Sequence, residues 1–82
     1  MRKRAILTVR QRFIKGAVQE VGITVAAFAR LAGVPDRTLR SWLDGTRDPS
    51  DEALEKVASG LDAFATSTRD LATRARSFLT PP

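Results

Sequence analysis

The sequence predicts an all-α protein, a compact bundle of about five helices in a single domain spanning residues 1–82. Three observations carry that expectation. Apolar residues recur at spacings of three and four along most of the chain, and the strict alternation of a half-buried strand is absent. Glycines stand where the apolar runs stop, and Thr, Pro or Ser where the next one starts. The chain has no cysteine, so neither a disulfide nor a thiolate metal site can hold it together, and helix packing must do so. A chain this short buries only about 60–65% of the surface its unfolded form exposes, so the core is modest.

The first helix begins near Thr8. Val9, Phe13, Ile14, Ala17, Val18 and Val21 fall at helical spacing as one apolar stripe, with Arg12, Lys15 and Gln19 off it. Gly22 suits the left-handed position that ends a helix. Thr24 is a natural N-cap for a short second helix, VAAFARLA. Phe28, Ala29 and Ala32 share its inner face, and Gly33 stops it. The third helix starts at Pro35 or just after, because a proline lacks only an N–H that has no partner in a first turn. Val34, Leu39 and Trp42, with Thr38, point inward, leaving Asp36, Arg37, Arg40 and Ser41 on or near the other side. Gly45 ends this helix, and TRDPS is a loop by composition.

Ser50 caps the next helix, with Asp51 and Glu52 in a first turn that favours negative charge. From there Leu54, Val57, Leu61, Phe64, Thr68, Leu71, Ala75 and Phe78 follow a heptad rhythm. The flanking Ala58, Gly60, Ala65, Ser67, Ala72 and Arg74 are mostly small and neutral. That argues against a free two-stranded coiled coil and suits close packing. Gly60 and Thr66-Ser67-Thr68 are weak points, so two helices with a break between 60 and 68 are expected. The rhythm reads as intramolecular core, as a dimer interface, or as both. Phe78 and Leu79 decide between these, since a small domain has little left to bury them.

The charge is uneven. Residues 1–47 carry +7 and residues 48–82 carry −2, within a net +5. Such a division suggests one surface facing a polyanion: DNA, RNA or an anionic membrane. Arginine, which meets phosphates and base edges bidentately, supplies most of the positive charge. Met-Arg-Lys-Arg is not followed by an unbroken apolar run, so neither a signal peptide nor a membrane span is expected. Histidine and tyrosine are absent, which removes the commonest general base and another acid–base group. Asp44, Asp48 and Asp51 read as loop and cap residues rather than a catalytic triad. No enzyme activity, cofactor or metal is expected.

Residues 24–44 explain why a good helical pattern is interrupted by Gly-Val-Pro. Two short helices, a tight turn and a second helix with a polar outer side make a helix-turn-helix. The second helix then stands out far enough to enter a major groove about 12 Å wide. The pattern T-x-x-x-F-A-x-x-A-G-V-x-x-x-T-L-x-x-W-x-x-G-x-x-x-P, Thr24 to Pro49, resembles the λ-repressor/Cro-type, XRE-like helix-turn-helix family. Leu54, Val57, Ala58 and Leu61 are similar to its fourth helix, so the resemblance covers about residues 8–62.

The resemblance implies a λ-repressor-like domain of five helices that binds double-stranded operator DNA, usually as a homodimer. By position it implies that Asp36, Arg37 and Ser41 read bases, with Thr38 and Arg40 beside them. It also implies that Thr46 and Arg47 touch phosphate after the recognition helix, and that phosphate meets the start of the second helix at Thr24. Arg30, Arg12 and Lys15 are further candidates for phosphate contact; the last two otherwise form a solvated helix face with Arg10. Arg2, Lys3 and Arg4 read as a charged tail or as an arm on the duplex. Two departures stand out: Val25 replaces a common glutamine, and Leu43 replaces a common acid. The segment 63–82 matches poorly and is a candidate for dimerisation through Phe64, Leu71, Phe78 and Leu79.

The implied protein is a phage-like or bacterial transcriptional regulator, cytoplasmic and DNA-associated, with RNA polymerase as a possible partner. Two other readings stay open. One is a protein-interaction module whose arginine face binds an acidic partner. The other is an accessory DNA-targeting domain that reads only phosphate.

Overall fold

The computed structural model describes residues 6–79, which form four helices: α1 (Val9–Val21), α2 (Val25–Ala32), α3 (Asp36–Leu43) and α4 (Asp51–Ser77). Local chemistry sets their ends. Thr8 and Gln11 make a reciprocal capping box: the Gln11 N–H donates to Thr8 Oγ1 at 3.1 Å, and the Thr8 N–H donates to Gln11 Oε1 at 2.8 Å. Thr24 Oγ1 accepts from the Ala27 N–H, and Ser50 Oγ from the Ala53 N–H, both at 3.1 Å. Pro35 stands just ahead of α3 in extended conformation, and its carbonyl accepts from the N–H groups of Thr38 and Leu39. Between α2 and α3, Gly33 takes φ +72°. Its N–H bonds the Arg30 carbonyl and the Val34 N–H bonds that of Ala29, which closes a Schellman turn.

Ile14, Phe28, Ala29, Ala32, Leu39, Trp42 and Val57 form the buried core. α2 packs on both α3 and α4, and α1 packs on α3. Val34 and Leu43 are half-buried against this core.

Two expectations are corrected. The α1 stripe is two rows. Ile14 is buried, and Ala17, Val18 and Val21 pack against the core, but Val9 is 73% exposed and Phe13 54%. At about 100° per residue, Phe13 and Val9 lie about 100° and 140° round the helix from Ile14. They turn away from the core.

The break expected between 60 and 68 is also absent: α4 is one continuous helix, so four helices replace the expected five among the described residues. Gly60 is not a hinge. A Cβ there would run into the Leu31 carbonyl, so the glycine marks the place where α2 and α4 cross. The hydroxyl of Thr68 donates to the Phe64 carbonyl at 2.8 Å. That local bond spends its polarity on its own helix rather than opening it. The heptad rhythm serves the core only as far as Leu61. Phe64, Leu71 and, just past the end of α4, Phe78 lie outside, on a segment that projects and makes the molecule 66 Å long and 28 Å across.

Candidate nucleic-acid interface

α3 buries Leu39 and Trp42 and turns Asp36, Arg37 and Arg40 to solvent; Thr38 and Ser41 lie half-buried at its flank. The sequence thereby creates a helix anchored by two large apolar side chains with polar groups on the other side. The groups on that side differ in their freedom. Arg40 Nε donates to Asp36 Oδ2 at 3.1 Å across one turn. Ser41 Oγ donates to the Thr38 carbonyl at 2.6 Å. Arg37 has no side-chain partner among the described residues: Asp36 is held by Arg40, and Asp44 by Thr46.

Arg37, Thr38, Arg40, Ser41, Asp44, Thr46 and Arg47 line one shallow, open depression. The structure therefore joins most of the expected base-reading residues to the loop residues expected at phosphate. Asp36 stands at its border through Arg40. Asp44 is an acidic member that the sequence reading treats only as a loop residue. The Thr46 hydroxyl and, next, the Thr46 N–H donate to its carboxylate and hold its pKa below the usual 3.8. It is thus a fixed negative charge among three arginines.

Thr24, Arg30, Arg12 and Lys15 are exposed but do not line this depression. Arg12 instead borders an apolar groove between α1 and α4, with Phe13, Ala17, Glu20 and Leu61. Phe64, Leu71, Phe78 and Leu79 are 40–87% exposed on α4 and just past its end. Arg2, Lys3 and Arg4 lie outside the described residues.

Sequence reasoning missed what fixes the loop. Gln11 is buried, and besides its part in the capping box its Nε2 donates to the Arg47 carbonyl at 2.6 Å. The Thr8 hydroxyl, which accepts from the Gln11 N–H, donates onward to Asp48. Arg10, expected on a solvated face, donates to the Pro49 carbonyl at 3.0 Å and pairs with Asp51 at 2.7 Å. The first turn of α1 thus fastens the segment that carries Thr46 and Arg47. The T-x-x-Q spacing is a legible capping signal; the second use of the glutamine amide, 36 residues away in sequence, is not.

Among the described residues no cluster of His, Cys, Asp or Glu is suited to a metal ion, and no helix is long and apolar enough to cross a membrane. A helix-turn-helix family model matches residues 14–63, more than half of the chain. Comparison with curated proteins and with solved structures finds no significant match. Residues 14–63 thus carry a helix-turn-helix, a non-catalytic type of binding domain.

Proposed function

The chain belongs to the helix-turn-helix family, and on that premise we propose that it is a sequence-specific, double-stranded DNA-binding transcriptional regulator with α3 as its recognition helix. One observation carries the reading: Arg37 is exposed, and unpaired among the described residues, on the side of α3 opposite Leu39 and Trp42. A free guanidinium there suits bidentate contact with guanine O6 and N7. Arg40, Thr38 and Ser41 flank it, and Asp36 holds Arg40 or accepts from a cytosine N4 group. Thr46 and Arg47, on the loop fastened by Gln11, bind phosphate and set the register. Thr24, Arg30, Arg12 and Lys15, with Arg2, Lys3 and Arg4, add salt-dependent affinity.

The DNA-bound form is a homodimer held through Phe64, Leu71, Phe78 and Leu79, with two recognition helices in successive major grooves about 34 Å apart on an inverted repeat. Its λ-repressor-like use of the motif acts on RNA polymerase, by occupying a promoter or by touching the enzyme there. Such a protein works in a bacterial cytoplasm, phage-encoded or not.

Selection of bound duplexes from a random library, at near-physiological salt, tests this. An enriched inverted repeat is the expected result. Binding without enrichment that fades steeply with salt would mean that only phosphate is read. The specificity would then belong to a protein partner.

A further inference from the structure

Between α1 and α4 lies an open groove lined by Phe13, Gly16, Ala17, Val21 and Leu61. Beyond Leu61, α4 continues for residues 62–77, about 24 Å of helix, with Phe64 and Leu71 exposed. An isolated helix of this length is marginal in water. It is also unbroken, so it cannot fold back over its own groove.

We propose that the groove receives the end of α4 from a second copy of this chain, the two α4 helices running antiparallel about a two-fold axis between residues 69 and 70. The inference rests on the homodimer reading and specifies its surface. The heptad positions fit one antiparallel register. Leu61 meets Phe78 of the second copy, Phe64 meets Ala75, and Thr68 meets Leu71; by the symmetry, each pairing occurs twice. Phe64 and Thr68 each face a partner of different size, and Ala65 and Ala72 let the helices approach. Phe78, 87% exposed in the single chain, then lies at the level of Leu61 and fills the groove beside Phe13.

The area suffices. At about 200 Å² per phenylalanine, the exposed parts of Phe13, Phe64 and Phe78 come to about 350 Å² per chain. Leu71 and Leu79, both more than half exposed, bring the two chains together to about 1,200 Å², the lower edge of stable interfaces.

The chain has no cysteine, so introduced thiols report cleanly. Full-length Phe64→Cys and Ala75→Cys chains, one bearing a mass tag, are mixed and oxidised. The expected product is the mixed disulfide. Neither variant alone should link, because like residues are then about 16 Å apart along the pair, beyond disulfide reach. In the parent chain Phe78→Ala should weaken the dimer about thirtyfold, read by sedimentation. A 75–75 link would mean parallel helices and overturn the register. A sedimenting dimer with no mixed link would overturn the groove while leaving the homodimer standing. A monomer at all concentrations would remove both, whatever the DNA selection shows.

Discussion

Arg37 and Arg40 stand three residues apart on one helix, yet among the described residues only Arg40 is engaged, by Asp36 at 3.1 Å. An unengaged guanidinium gives up no ion pair when it meets a base. Arg37→Ala is therefore expected to cost about 1–3 kcal/mol on the selected site and to relax one base position. Titrating the variant against selected and random duplexes checks this; an equal loss on both would take base reading away from Arg37. Gln11 matters in another way. Gln11→Ala removes half of a capping box and leaves the Arg47 carbonyl without its side-chain donor. About 1–3 kcal/mol of stability should go, seen as a lower urea midpoint, and Thr46 and Arg47 should lose their fixed position. Asp44 gives a pH prediction. Its carboxyl is held below 3.8 when folded, so the Thr46 contacts are fully present above the ordinary carboxylate range and are lost as pH falls through the lowered value. The Thr46 amide resonance should titrate with a midpoint below 3.8 and stay constant at neutral pH.

Glycine has opposite meanings in two of the helices. At Gly60 a methyl group would collide with the Leu31 carbonyl; at Gly16 it would meet nothing within 4 Å. Gly60→Ala should thus destabilise the fold by forcing α2 and α4 apart, despite alanine's higher helix propensity. Gly16→Ala should stabilise it by up to about 1 kcal/mol. Paired denaturation curves decide both. The same contrast shows what was legible in the sequence. The caps at Thr24 and Ser50 and the stops at Gly22 and Gly33 depend on neighbours a few residues away, and all are found where the pattern puts them. Arg37's outward place follows from the inward pull of Leu39 and Trp42, also local. The role of Gly60 depends on a carbonyl 29 residues away, and the exposure of Phe13 on which row of α1 meets the core. The hold of Gln11 on the Arg47 loop spans 36 residues. None of these three appears in a helical periodicity, which records which side of a helix is apolar but not what stands opposite.

Every buried residue of the core lies at or before Val57, and Leu61 is the last to pack against it. The molecule is therefore a bundle carrying a projecting helix whose removal leaves the core whole. A chain ending at residue 63 should remain helical and folded but sediment as a monomer, and it should bind the selected inverted repeat far more weakly than the full chain. A truncated chain that still sediments as a dimer would place the interface on the bundle itself.

An unbroken α4 also makes spacing a matter of phase. In the proposed pair, adding one heptad to the overlap would move the two bundles apart by about 10 Å. Taken along the duplex axis, that is about three base pairs, less than a third of a turn of about 10.5 base pairs. The recognition helices would then face different sides of the duplex. Only about three added heptads, near 32 Å, approach a full DNA turn of about 34 Å. A pair built in this way would lengthen only in steps that suit two helical repeats at once, its own and that of the DNA.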